Sequence, residues 1–426
     1  CFISFFNILG NDFVWDDEKF IVDRPEIQSF NRAIYSFVSD QYEIYRPVRT
    51  LAYATAFQFF RLNPLPYHLL SILMHSAVSV LLFFIIKKLF NRKLAFFSAI
   101  LFAVHPIHVS RVTNATASFD IIGLLFYLIS FYLYILFREK KEKNLFIASL
   151  ALFIVGLFAS EEVFTLPLLL ILYEFVFNSP KLKEYLKDVP YFIFLVGFLV
   201  LRFFVLRIGS RVSEYPGGSF LITLMTIPKV LAQYVLLIFF PFGLTPFRGI
   251  EFVESVFNIW FIVPVLFVLV LLFLIFKFRK NKELIFFSGW FFITLLPFLN
   301  ILPLPKIIAE RYFYLASLSV IVLIVKFVCF MFKKDNNKVI GLMILFVIFF
   351  ASLTIYNNGY WVNDFILNQR GIELNPFSSR AHNNLGNFYF KQDNLESAGA
   401  HFTKAIETDI KNEKAWINLG VYYTKT

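Results

Sequence analysis

Tyr67–Ile86 reads Tyr-His-Leu-Leu-Ser-Ile-Leu-Met-His-Ser-Ala-Val-Ser-Val-Leu-Leu-Phe-Phe-Ile-Ile, and Lys87, Lys88, Arg92 and Lys93 close it. An uncharged run of about 20 residues is what a helix needs to cross the hydrocarbon core of a bilayer. A basic cluster directly after it marks the cytoplasmic end of such a span. The same couplet recurs along the chain. Further apolar runs cover Leu94–Val109, Phe119–Phe137, Leu145–Ala159, Val163–Phe177, Tyr191–Val205, Phe257–Phe276, Leu284–Leu302, Tyr312–Phe332 and Val339–Tyr356. Basic clusters lie at Arg138, Lys140, Lys141 and Lys143, at Lys181, Lys183 and Lys187, at Lys277, Arg279, Lys280 and Lys282, and at Lys333, Lys334 and Lys338.

All of these clusters fall on one side if Ile222–Phe240 does not cross. Pro228, Lys229, Gln233 and Pro241 mark it as an interfacial or re-entrant segment. Composition agrees with a membrane protein: 58% of the 426 residues are hydrophobic and 16% charged, against about 45–50% and 25% in soluble chains. The net charge of +11 lies in the clusters between spans, which speaks for a membrane and against nucleic acid. Cys1 and Cys329 are too few for a disulfide framework or a zinc site. The apolar opening at Cys1 reads as the tail of a first span, and Thr426 stops inside a repeat, so a fragment at both ends is expected. That gives about eleven spans in an all-α, polytopic membrane protein.

With this sidedness the polar residues gather on the exoplasmic face. The first exoplasmic loop is large, 11–66, and Tyr45–Phe60 within it reads as an amphipathic helix on the membrane surface, because Arg46, Arg49 and Gln58 make a span costly. Beyond Tyr356 the apolar runs stop. His382, Leu385, Gly386, Tyr389, Ala398, Phe402 and Ala405 keep tetratricopeptide spacing, and Trp416, Leu419, Gly420 and Tyr423 restart it about 34 residues on. The expected division is therefore a membrane domain, 1–356, followed by a repeat α-solenoid, 357–426, whose concave face suits a polypeptide partner.

Several motifs then carry a resemblance. They are Asp12-Phe-Val-Trp-Asp-Asp-Glu, Tyr45-Arg-Pro-Val-Arg-Thr-Leu, Tyr67-His-Leu-Leu-Ser-Ile-Leu-Met-His, Leu101-Phe-Ala-Val-His-Pro-Ile-His-Val, Asn300-Ile-Leu and Ala309-Glu-Arg-Tyr-Phe-Tyr-Leu-Ala-Ser-Leu, followed by the repeats. In this order they resemble the transmembrane and tetratricopeptide-repeat-containing O-mannosyltransferase-like family and its bacterial relatives, within the GT-C superfamily. The resemblance implies a GT-C fold and an inverting transfer of a sugar, mannose in the family, from a polyprenyl-phosphate donor to protein hydroxyls. The expected place is a bacterial inner (cytoplasmic) membrane, with the site and the repeats on the exoplasmic side that the basic clusters give. Ser110, Ser118 and Ser160 stand where the family usually has Glu, a basic residue and Lys.

Such a transfer needs a base for the acceptor hydroxyl and cations for the departing phosphate. Spacing leaves Asp16 and Asp17 evenly divided between base and loop or helix cap; the resemblance favours the base, Asp16 first. Arg311, Arg111 and Arg46 are candidates for the donor phosphate, since a guanidinium stays charged and binds in two places. Arg202 and Arg207 are expected to snorkel to headgroups. His105, His108, Asp120, Glu161 and Glu310 are candidates for a sugar or acceptor pocket, His105 and His108 sharing a face if helical. No cofactor is assigned beyond the donor, and no metal-ligand set is evident. The same fold acting on a lipid or surface glycan, or serving as a non-catalytic repeat scaffold, is the alternative.

Overall fold

The computed structural model describes residues 1–39, 44–178, 182–209, 214–333 and 335–425, with Leu182 and Lys183 as backbone alone. Lys181, Lys334 and Thr426 lie outside the described residues, and the 207–220 loop is described only in part. Every described element is helical. Helices of eight residues or more are numbered here. They are α1 Pro47–Phe60, α2 Pro64–Leu89, α3 Arg92–Val104, α4 Ile121–Lys140, α5 Lys143–Leu157, α6 Leu166–Tyr173, α7 Val189–Val200 and α8 Phe220–Phe239. After them come α9 Ile259–Lys277, α10 Lys282–Leu295, α11 Tyr314–Met331, α12 Asn336–Asn358, α13 Asp364–Leu374, α14 Ser379–Lys391, α15 Leu395–Thr408 and α16 Glu413–Lys425.

The helix starts follow from their caps. Asn63, Asn91, Asn258 and Asn281 each accept a backbone N–H of the first turn, at 2.9–3.2 Å, and so open α2, α3, α9 and α10. Pro64 sits at the first turn of α2, where its missing N–H costs nothing, and Lys87 and Lys88 close the helix against its negative end. Pro106 breaks the run that began in α3: the chain bends by 52° between Arg92–Val104 and Pro106–Val112.

Among the described residues six helices are long and apolar enough to cross a membrane by length and composition, or seven if that bent pair is one span. This is fewer than the eleven expected. The apolar runs are there, but several are divided: α5 has 15 residues, α10 has 14, and α6 has eight before a π-helical turn, Glu174–Asn178, takes over. One of the six is α8. Its contacts nevertheless hold both of its ends at the same end of the bundle. Just before it Tyr215 donates to Ile301 O, within it Thr226 accepts from Val253 N, and near its close Tyr234 donates to Ala309 O while His105 Nε2 meets Ile238 O.

The basic clusters collect at the opposite end. Lys88 pairs with Glu139 at 2.6 Å, Lys93 donates to Asn336, Arg138 pairs with Glu184, and Lys282 lies over the Phe177 ring. Phe90 packs there against Phe177, Phe286 and Phe287. The first loop lies across the other end. Its helix α1 buries Arg49, Tyr53, Ala54 and Phe57 and leaves Phe59 exposed.

Helices α13 to α16 pack as successive pairs. Gly386 admits the Phe402 ring so closely that an added Cβ would come within 2.5 Å of it, and Ala398, Phe402 and Leu419 form a small separate core. These helices rest on the first loop: Asp12 N–H donates to Val362 O at 2.9 Å and Trp15 N–H to Asp364 Oδ1 at 2.8 Å. Gly371 packs on the Phe247 ring, where any side chain would collide.

Candidate active site

Asp16 and Asp17 follow Trp15, whose φ of 60° lies in the left-handed region that side chains rarely adopt. The two carboxylates have different surroundings. Asp17 is fully buried and accepts N–H donors: Val14 N, Ala115 N, Thr116 N at 2.6 Å and Asn114 Nδ2 at 3.1 Å. Burial pushes its carboxyl up to about 7, against these hydrogen bonds, which favour the charged form. Asp17 thus ties the first loop to the turn that leads into α4.

Asp16 faces cations. Arg380 Nη2 lies 3.0 Å from its Oδ1 and Arg311 Nη1 3.5 Å from its Oδ2. Burial alone would raise its carboxyl, but Arg311, Arg380 and Lys306 outweigh that and hold it below the ordinary range. Lys306, Arg311 and Arg380 also surround the Trp15 ring, at 4.8, 4.8 and 5.0 Å from its centroid. Burial, and then repulsion from Arg380 and Arg311, lowers the Lys306 ammonium well below its usual value. The Trp15 indole N–H is buried without a hydrogen-bond partner among the described residues.

The loop between α8 and α9 shapes this pocket. Lys306 donates to Pro246 O, and Arg248 donates to Gly243 O and to Glu310 Oε1. Glu310 also accepts Thr245 N–H at 2.9 Å, so it orders this loop beside Arg311.

A second polar centre lies under the first loop. Arg46 bonds Asp120 at 2.5 Å and Glu161 at 2.6 Å, Arg49 bonds Asp120 at 2.7 Å, and Arg202 reaches Glu161 at 3.3 Å. Arg111 bonds Glu162 at 2.5 Å, lies 3.8 Å from Asp120, and stacks over Tyr314. The arginines expected at one phosphate are therefore divided: Arg311 stands at Asp16, whereas Arg46 and Arg111 are engaged by carboxylates. Arg202 does not snorkel but is mostly buried in this network.

His105 and His108 are buried and do not share a helical face, because the chain turns at His105, which accepts Ile107 N–H. His105 meets Ile238 O, and His108 meets Phe102 O and Ser317 Oγ. His75 joins them through Tyr314, at 2.6 Å. Among the described residues no group of three or more His, Cys, Asp or Glu side chains is placed to hold a metal.

A family model for dolichyl-phosphate-mannose-protein mannosyltransferase matches residues 47–206, which hold α1 and the arginine–carboxylate network apart from Arg46. Over nearly its full length the chain is similar to a protein O-mannosyl-transferase of Caenorhabditis elegans, 24% identical over 97% of this chain and 62% of the relative. It is likewise similar to the human protein O-mannosyl-transferase TMTC3, 23% identical over 98% of this chain and 52% of the relative. A shorter stretch, 31% of the chain, is 31% identical to the Xenopus laevis protein O-mannosyl-transferase tmtc2, of which it covers 17%. The chain spans about half to three-fifths of the length of the two relatives that it matches throughout. No solved structure matches it.

Sequence reasoning missed Lys306, Arg380, Arg248 and Glu162 as parts of these centres. Glu162 stands beside Glu161, and Lys306 lies in the same short loop as Arg311, so proximity in the chain was a usable signal for both. Arg380 had none, since 364 residues separate it from Asp16.

Proposed function

We propose that this protein is an integral-membrane, inverting glycosyltransferase that moves a sugar, mannose by the names of its relatives, from a polyprenyl-phosphate donor to a protein hydroxyl. The observation that carries this reading is Asp16 facing Lys306, Arg311 and Arg380 around the Trp15 ring. Asp16 takes the proton of the acceptor hydroxyl as its oxygen attacks the anomeric carbon. The bond to the donor phosphate breaks, and its electron pair leaves on the phosphate, which the cations stabilise. The negative charge thus passes from Asp16 to the leaving group within one cationic shell.

An aspartate held low by cations is a weak base on its own. Donor phosphate shares the guanidiniums with Asp16 and so raises its proton affinity when the substrate is in place. Asp17 positions the loop and carries no proton for the reaction. Arg46 and Arg111, with Asp120, Glu161 and Glu162, brace the pocket from beneath. His105 and His108 shape its inner wall, and Glu310 orders the 243–248 loop.

We read the face that holds Asp16 as exoplasmic, because the basic clusters collect at the other end. The shorter apolar helices complete the eleven spans of residues 1–356, and 357–426 are tetratricopeptide repeats that present the acceptor polypeptide. The test is transfer by the purified full chain from polyprenyl-phosphate mannose to a Ser/Thr-rich peptide. Asp16→Asn is expected to cut the rate about 10²–10⁴-fold, the usual value of a positioned base. Full activity in that variant overturns the assignment.

A further inference from the structure

Arg380 is the one cation of the Asp16 pocket that does not come from the loops beside the membrane helices. It is the second residue of α14, in the C-terminal helices, and its side chain is 48% exposed. Two contacts set its position. Asn375, just before α14, donates through Nδ2 to Phe247 O at 3.0 Å, and the residue before Phe247 is Pro246, whose carbonyl receives Lys306. On the far side of the same helix Lys391 pairs with Glu18 at 3.4 Å. Helix α14 is therefore braced at both ends against the segments that form the pocket, and its first turn delivers a guanidinium to Asp16.

The local charge exceeds what Asp16 needs. Three cations surround one indole ring, and the carboxylate within hydrogen-bond reach of Arg311 and Arg380 is Asp16. Glu310, the next acid, is occupied by Arg248 and Thr245. Two guanidiniums and the Lys306 amine face one carboxylate, and this excess of positive charge, together with the indole N–H of Trp15, unpartnered among the described residues, suits an anionic ligand of phosphate type.

We propose that Arg380 is a ligand of the donor phosphate, so that the C-terminal helices complete the donor pocket rather than only presenting an acceptor. This rests on the donor reading above. Arg380 shares its guanidinium between Asp16 and the phosphate. When the acceptor proton reaches Asp16 and the leaving group gains its second negative charge, the guanidinium stays beside the phosphate, with no change in total charge. Displacement of α14 then removes one of three phosphate ligands and links the arrangement of the C-terminal helices to donor affinity.

The test measures binding of farnesyl phosphate, a short stand-in for the released lipid phosphate, to the detergent-purified full chain, with farnesol as the uncharged control. Arg380→Ala is expected to weaken farnesyl phosphate about tenfold or more, the ordinary value of a charge-assisted contact, and to leave farnesol unchanged. Arg380→Lys is expected to recover part of the loss as a point charge. Lys404→Ala, on the exposed surface of α15 and outside the pocket, is expected to bind as the wild type does.

If Arg380→Ala binds normally while Lys306→Ala and Arg311→Ala do not, the donor reading stands and the role of Arg380 falls. If none of the three weakens binding, the donor reading itself falls. Competition by phosphatidylglycerol as strong as that by farnesyl phosphate reassigns the pocket to lipid headgroups and overturns both.

Discussion

Asp16 and Asp17 are adjacent carboxylates with opposite electrostatics, and the difference lies in what faces each from distant parts of the chain. Asp17 meets four N–H donors at full burial. An asparagine there keeps one acceptor oxygen and turns an amide N–H₂ against donors. Asp17→Asn is therefore expected to lower stability by about 2–4 kcal/mol, read as a fall in the thermal midpoint, since buried groups left unpaired cost their desolvation. The pH dependence has a definite sign. The folded-state carboxyl is raised from 3.8 to about 7, so the folded protein keeps a proton that the unfolded chain releases. The contribution of Asp17 is present below the unfolded value and is lost as pH rises through about 7. Asp16, held low, behaves oppositely and loses its contribution as pH falls through its folded-state value. The slope of the thermal midpoint between pH 4 and 7 should flatten in Asp17→Asn and persist in Asp16→Asn. No property of two neighbouring aspartates in a sequence separates them in this way.

At the scale of elements, the apolar runs and their basic borders located most helices, because hydrocarbon-length segments and Lys/Arg flanks are local properties of the chain. They did not locate helix breaks. Phe175, Val176 and Phe177 continue an apolar run although the backbone there has passed into a π turn around the buried Glu174. The candidate site was legible to the same depth. Asp16, Arg311 and the Arg46–Asp120–Glu161 set lie in loops that the charge pattern puts on one face, but the pairing inside that face depends on tertiary packing. The Arg111–Glu162 contact shows this, as the side chains are 3% and 8% exposed and nothing in their spacing couples them. Glu162→Gln keeps an acceptor oxygen but removes the charge opposite the buried Arg111 guanidinium, whose other carboxylate neighbour is Asp120, at 3.8 Å. A loss of about 3–5 kcal/mol is expected, as for a buried pair deprived of one partner. Glu161→Gln, at a side chain 23% exposed, should cost less. Thermal unfolding of the two variants in detergent checks the order, and equal losses would show that burial does not decide it.

For the whole molecule, the positive-inside pattern and the packing agree on one separation. Basic clusters collect where Phe90 meets Phe177, Phe286 and Phe287, and the Asp16 pocket with the C-terminal helices lies at the other end. Helix α8 decides whether that separation holds, since a crossing there would reverse everything after it. Length and composition alone would let it cross, but Tyr215, Thr226, Tyr234 and Ile238 are all held by segments at the pocket end. Sidedness labelling tests this directly in a chain whose Cys1 and Cys329 are replaced by serine. Single cysteines at Lys93, Lys140 and Lys280 should react with an impermeant maleimide only from the cytoplasmic side. A cysteine at Lys404, on the exposed surface of α15, should react only from the other side. If Lys93 and Lys280 label from opposite sides, α8 crosses the membrane. The shared end seen in the packing then fails, and with it the common face on which Asp16, Arg311 and Arg380 are read as one pocket.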